Sequence, residues 1–380
     1  MPQNVYVVDA RRTPIGSFQG ALAHLTAPQL GAHAIAALQP DDVDEVLMGN
    51  VVSAGLRQAP ARQAMRIAGI DDSVGATTIN KVCGSGMKAA MLATDIIRAG
   101  SATRVIAGGM ESMSNMPYLL AKARSGLRMG HTDLNDSMFT DGLEDAETAR
   151  AMGTFAQQTA DDHQLTREAM DAYATESVTR ARRAIEEGTL AAEISPIATG
   201  DVIISDDEQP GRARPEKIAK LRPAFKTDGT ITAANSSSIS DGASALLLAA
   251  EDHLNGAEPL ARVAGHATFS RHPSEFTLAP IGAIGKLLQQ LHWSLDQVEL
   301  FEINEAFAMV TMLCVSELGL DQQRVNVFGG ACAQGHPIGS TGSRLIVTLA
   351  HAMRARGLQR GIAALCIGGG EATAIALVRD

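Results

Sequence analysis

Aromatic residues make up only 3% of this 380-residue chain, with a single tryptophan. Proteins that bind single-stranded nucleic acid stack bases on such rings, so that class fits poorly. Positive charge is also short: 32 Lys and Arg stand against 42 Asp and Glu, a formal net charge of -10, which argues further against a nucleic-acid partner. The four cysteines, at positions 83, 314, 332 and 366, form no Cys-x-x-Cys pair and have no metal-type spacing. No metal is expected, and the thiols should be free. No apolar stretch reaches the ~20 residues of a membrane helix. The opening MPQNVYVVDARRTP runs directly into a strand-like segment, without a basic stretch, a long apolar core and a cleavage site. A soluble, cytoplasmic protein with no membrane partner is expected.

What the chain does have is apolar mass and glycine: 45% hydrophobic residues and 36 glycines. It is too long for one small core and reads as an α/β enzyme of two or three packed units. Two stretches far apart follow one plan. DDVDEVLMGNV and LDQVELFEINEAF are each an acidic lead into a buried strand; RVIAGGMESMS and IAALCIGGGEATAIALV are each a strand running into a glycine turn. Similar separations in the two halves imply duplicated α/β domains, and a cleft between them at the strand ends. Residues 116–232 break the pattern and are too long for an idle loop. The expected domains are therefore 1–115, completed by about 233–250, an insertion over 116–232, and 251–380. The insertion ends in a basic run, Arg212, Arg214, Lys217, Lys220, Arg222 and Lys226, which is either a solvated face or a landing site for a phosphorylated ligand.

The chemistry concentrates in four short motifs. In NKVCGSGMKAA, Cys83 stands between a strand-like run and the helical spacing of MKAAMLATDIIRAG. A lone cysteine is ordinarily a small buried hydrophobe. At a helix N-terminus, however, the macrodipole favours thiolate, and Gly84 and Gly86 are expected to clear the way for a substrate. FEINEAFA places Asn304 and Glu305 directly after a buried strand, where polar groups must be used or paired. FGGACAQGHPIGSTGSR places His336 in a glycine-rich loop ahead of a helix, and ALCIGGGEATA places Cys366 at a strand end.

Together with VDARRTPIGSFQGAL, MGTFAQQTA, LRPAF and NSSSISDGA, these motifs occur in the order found in thiolases, and the chain resembles that family nearly end to end. The resemblance implies the thiolase fold: two βαβαβαββ domains in a five-layer α-β-α-β-α sandwich, with a loop domain inserted in the first. It also implies that Cys83 is the acylated nucleophile, His336 its base and Cys366 a second acid/base. One oxyanion hole would use His336 and a water held by Asn304, the other the N–H groups of Cys83 and Gly368. Ser237, Ala306 and Phe307 match positions lining the pantetheine tunnel, and Met152 and Phe276 the wall of the acyl pocket. This division suits Claisen chemistry, which needs one group to carry the acyl chain and another to move a proton at the carbon α to a thioester.

The implied reaction is the reversible condensation of two acetyl-CoA to acetoacetyl-CoA and CoA. These thioesters are substrates, with no permanently bound cofactor. Broad-chain 3-ketoacyl-CoA cleavage is the alternative within the class, and a catalytically silent CoA-binding subunit the alternative outside it. Many thiolases read CxGGGQG where this chain has Glu371 and Ala372, and bacterial short-chain enzymes often have His where it has Ala151. The segment RSGLRMGHTDLNDSMFTDGL resembles the loop through which short-chain thiolases pair their dimers, so a homotetramer is expected.

Overall fold

A computed structural model describes residues 3–379. Its centre is a ten-stranded mixed sheet. The nine longer strands are β1 (Val5–Arg12), β2 (Glu45–Gly49), β3 (Gly75–Ile79), β4 (Arg104–Ser112), β5 (Ser240–Ala250), β6 (Ala261–Ser270), β7 (Leu300–Ile303), β8 (Arg360–Ile367) and β9 (Glu371–Val378). They lie in the order β7-β8-β9-β6-β1-β5-β4-β2-β3, and the two-residue strand Gly16–Ser17 pairs with the start of β5. Within the sheet the two halves are joined by Tyr6 and Val7 of β1, paired with Arg262 and Ala261 of β6.

The duplication is visible in this pairing. In the first half β1, β5 and β4 are antiparallel neighbours, then β4, β2 and β3 run parallel. In the second, β6, β9 and β8 are antiparallel and β8 pairs parallel with β7. A parallel bridge from Phe301 to Val325 stands where the first half has β3. One expectation fails here. The glycines of RVIAGGMES form no turn but lie inside β4, since a Cβ on Gly108 would sit 2.2 Å from the Ser244 carbonyl and one on Gly109 2.0 Å from that of Gly339.

Strands β4 and β5 are buried along their whole length, which requires helices on both faces. On one outer face, α1 (Ala27–Ala37) and α2 (Pro60–Ile67) cover Met48, Ile106 and Leu247. Between the two halves, α3 (Ser85–Arg98) packs in a core with Val105, Leu246, Leu365 and Ile375. Two further helices fall within the expected insertion, α4 (Met152–Asp162) and α5 (Arg167–Glu186). On the other outer face, α6 (Ala279–Leu291) and α7 (Ala308–Leu318) cover Ile362 and Ala364, and α8 (Thr341–Arg356) shares the central layer with α3. Helix, sheet, helix, sheet, helix makes the five layers of the thiolase fold. Successive residues of β4 and β8 feed opposite cores, as a period of two requires.

Glycines bring the two central helices together at their N-termini. A Cβ on Gly86 would lie 2.8 Å from the Ser343 amide nitrogen, and one on Gly342 2.5 Å from that of Met87. The loops preceding α3 and α8 therefore meet at one end of the central layer. They carry Cys83 and His336. Gly84 and Gly86 thus make room for Ile367 and Ser343 rather than for a substrate, contrary to the expectation from sequence.

Candidate active site

A cavity of about 380 Å³ opens where these loops meet. It brings together Cys83, His336, Gly368, Ser237, Ala306, Phe307, Met152 and Phe276, residues that the sequence spreads over both halves and the insertion. Cys366 and Asn304 are fully buried and do not line it; Cys366 packs in one core with Phe276, Ala306 and Phe307 of its wall. The 236–238 segment is held against the wall by a bridge from Ser236 to Phe307 and by the Ser237 amide, which donates to the Ala306 carbonyl at 3.0 Å.

Cys83 precedes the Gly84 cap of α3, and its preceding residue, Val82, has φ of +48°. The backbone N–H groups of Gly368 and of Cys83 itself lie near the Cys83 sulfur and favour its thiolate. Burial nevertheless dominates and pushes the thiol up to about 11, against the two N–H contacts that pull it down. The helix end does not make a resting thiolate, as the sequence suggested it should. Desolvation outweighs the dipole, and the sulfur needs a base.

His336 supplies a matching group. Its Nδ1 stands 2.6 Å from Thr341 Oγ1, which donates its one proton to the Pro337 carbonyl at 3.0 Å. Nδ1 is then the N–H donor to Thr341, and Nε2 is left unprotonated. Burial, then the charge of Arg344, depresses the imidazolium to about 3, so the ring is neutral at ordinary pH. Burial, then the Cys83 sulfur, raises Cys366 well above the ordinary thiol range. The resting site is therefore thiol, imidazole and thiol, all uncharged.

The two polar residues after β7 part company. Glu305 accepts from Tyr173 Oη (3.1 Å), Ser177 Oγ (2.8 Å), Asn326 Nδ2 (2.9 Å) and the Cys332 amide (3.0 Å), and so anchors the loop to α5 and to the segment before His336. Asn304, fully buried, has no side-chain partner on either amide atom. A buried amide left unpaired costs free energy, which marks it as a group reserved for a ligand or water.

Sequence reasoning named Phe276 and Phe307 but missed the other two rings of the aromatic wall, Phe225 and Phe139. Phe225 and Phe276 both stack edge-on against Phe307, with centroids 6.0 and 6.5 Å away, and Phe139 adds a fourth ring. Gly153 is glycine because the Phe225 ring lies over it, 2.2 Å from a built Cβ. LRPAF was legible as a motif, but nothing in it said that its phenylalanine turns inward. Of the six basic residues around it, two are engaged within the protein, Arg212 with Glu208 at 3.0 Å and Lys226 with Asp161 at 2.7 Å. Arg214, Lys217, Lys220 and Arg222 are exposed.

Residues 5–252 match the family model for the thiolase N-terminal domain and residues 257–379 that for the thiolase C-terminal domain. The chain belongs to the thiolase family. This thiolase is 47% identical to the acetyl-CoA acetyltransferase of Pseudomonas aeruginosa over the whole of both chains. It is 44% identical to that of Schizosaccharomyces pombe, covering 99% of this thiolase and 98% of the relative. A crystal structure of Acat5 thiolase from Ascaris suum in complex with coenzyme A superposes with a TM-score of 0.95 at 41% identity, covering both chains fully. Human mitochondrial 3-ketoacyl-CoA thiolase also gives 0.95, at 36% identity over 100% of this thiolase and 99% of that chain. Among the described residues, no helix is long and apolar enough to cross a membrane, and no three His, Cys, Asp or Glu side chains cluster as a metal site.

Proposed function

We propose that this thiolase catalyses the reversible condensation of two acetyl-CoA to acetoacetyl-CoA and CoA through an acetyl group on Cys83. One observation carries the reading: a cavity-facing thiol meets the Gly368 N–H, beside a buried imidazole whose Nε2 is free to take a proton. His336 takes the Cys83 proton as sulfur attacks the thioester carbonyl, and the Cys83 and Gly368 N–H groups receive the oxyanion. The bond from carbonyl to CoA breaks, and the departing CoA takes a proton from Cys366. The Cys366 thiolate then removes a proton from the methyl carbon of the second acetyl-CoA. The enolate oxygen is held by the protonated His336 and by a water on the Asn304 amide, whose atoms lack protein partners. The enolate carbon attacks the acetyl group, Cys83 leaves as thiolate, and it recovers its proton from His336. Exposed Arg214, Lys217, Lys220 and Arg222, just before Ala224 and Phe225 of the cavity wall, suit the phosphates of CoA.

Chain length is the open variable within the class, because the fold is equally close to a 3-ketoacyl-CoA thiolase. Relatives named acetyl-CoA acetyltransferase, 42–47% identical and nearly full length, favour the short chain. So does the wall of Phe276, Phe307 and Met152. Thiolysis kcat/KM for acetoacetyl-CoA should exceed that for 3-ketooctanoyl-CoA by at least about 10-fold, since each excluded methylene is worth ~1–3 kcal/mol. A 2-methyl branch should be tolerated, because Ala151 leaves room beside Met152. Phe276→Ala should gain most on the longest substrate. Equal or better turnover of the eight-carbon substrate by the unmodified enzyme assigns it to the broad-chain group instead, and zero turnover of every substrate to the silent subunits.

We further infer a homotetramer. Leu127, Met129 and Leu134 expose large apolar surfaces in the segment that the resemblance gives to dimer pairing, with Met129 at 93% exposure, and Tyr118 and Leu120 do so just before it. Such a concentration on one loop is unusual for a free surface. Light scattering should give four chains per particle, and Met129→Glu with Leu134→Glu should reduce this to two. A dimer before mutation rejects the assignment.

A further inference from the structure

The loop that carries Cys83 and the glycine turn that follows Cys366 come from opposite halves of the chain, and an ion pair joins them: Lys81 Nζ to the Glu371 carboxylate. The side chains are 19% and 34% exposed, so the pair is partly shielded from solvent. Each partner sits on a short lever. Lys81 is two residues before Cys83; its amide donates to Ser85 Oγ at 2.8 Å, and its carbonyl accepts from the Gly84 amide at 3.0 Å. Glu371 follows the Gly368–Gly370 turn, pairs with Ile367 across the β8–β9 hairpin, and accepts from Ser270 Oγ at 3.4 Å on its other oxygen.

Neither loop is self-sufficient. Val82, between Lys81 and Cys83, holds a left-handed φ of +48°, which is costly for a β-branched residue and persists only where surroundings impose it. On the other side Gly369 and Gly370 have φ of +87° and +90°, a turn with no side chains of its own to pack. Yet the Gly368 N–H must be aimed at the Cys83 sulfur for an oxyanion on its acyl group to be held.

We propose that Lys81 and Glu371 are positioning residues: their ion pair ties the strained nucleophile loop to the glycine turn and thereby aims the Gly368 N–H at the reacting centre. It also gives Glu371 a task at a position where many thiolases have glutamine. The inference rests on the reading of Cys83 as the acylated residue.

Losing an oxyanion donor outright costs about 10²–10³ in kcat, so misaiming one should cost about tenfold. Glu371→Gln and Lys81→Met should each lower kcat for acetoacetyl-CoA thiolysis by that factor and leave KM within about twofold, because CoA contacts are untouched. The double variant should be no slower than either single one, since both remove one interaction. Lys81→Arg should keep most of the wild-type rate, and the exchange Lys81→Glu with Glu371→Lys should recover part of it. Iodoacetamide should alkylate Cys83 more slowly in Glu371→Gln, because its sulfur loses an N–H that stabilises the thiolate. Should Glu371→Gln not fold, Glu371→Asp, which shortens the arm while keeping the charge, replaces it. Wild-type kcat in whichever of these two folds overturns the proposal, as do single effects that multiply in the double variant. Acetylation of Cys83→Ser at a residue other than 83 would instead overturn the functional reading, whatever Glu371 does.

Discussion

Cys83→Ser forms no acyl-enzyme with acetyl-CoA, while Cys366→Ser is acetylated at Cys83 but does not turn over. That is the expected pair of results, and intact-protein mass spectrometry with peptide mapping reads it directly. The difference follows from where the sulfurs stand. Cys83 is partly exposed to the cavity and in contact with the Gly368 N–H, whereas Cys366 is fully buried among Phe276, Ala306, Phe307 and Met309. A serine hydroxyl at 83 is a far weaker acid than a thiol already held at about 11, and a base as weak as His336 cannot activate it. Loss of a nucleophile costs on the order of 10⁶ in kcat where it acts as a unit with its base. Cys366→Ser keeps the acylation geometry and loses the group that moves the α-proton, so steady-state turnover falls while the acetylated form accumulates. An acetyl group on Cys366 with Cys83 unmodified reverses the assignment. Ping-pong kinetics in the wild type accompany the same scheme.

The largest stability effect is expected far from the cavity, at Arg12→Met. Arg12 on β1 is fully buried; its Nε donates to Glu193 at 2.5 Å and its Nη atoms to Asp207 at 2.7 and 3.0 Å. Burial works against the guanidinium charge, but Asp207 and Glu193 outweigh it and hold the group above its ordinary range. The carboxylates bind onward: Asp207 accepts from the Ile15 amide at 2.9 Å and Glu193 from Thr348 Oγ1 at 3.0 Å. One cluster thus fastens Glu193 and Asp207, two points within residues 116–232, to β1 and α8. Removing one member of a buried ion pair costs about 3–5 kcal/mol, because the abandoned charges stay buried. The urea midpoint of Arg12→Met should fall by the corresponding amount. A loss below about 1 kcal/mol, the size of an exposed pair, means the cluster does not hold the insertion. Thr348→Val, which removes one neutral hydrogen bond, should cost about 1 kcal/mol and serves as the milder reference.

Much of the fold could be read from the sequence because it is written in local patterns. Apolar periodicity and glycine stops mark α3, α5 and α8, and the paired acidic leads before β2 and β7 disclose the duplication. The order of short motifs was enough to mark Cys83, His336, Cys366 and Asn304 as a set. What tertiary structure alone decided depends on contacts between distant segments. The glycines of CGSG look like space for a substrate until Gly86 is seen against Ser343, and GGMES looks like a turn until Gly109 is seen against Gly339. Asn304 and Glu305 are adjacent polar residues in sequence, yet one is paired four times and the other not at all. The protonation of Cys83 is set by burial that both halves create together, which no helix-end argument contains. The Lys81–Glu371 and Arg12–Asp207 pairs span 290 and 195 residues, and nothing local singles out either partner. Sequence determines the elements and the inventory of reactive groups, since these follow from short-range propensity and chemistry. Desolvation and charge pairing exist only after the chain has closed on itself, and these decide which group is a resting thiol, which is a base and which merely holds the scaffold.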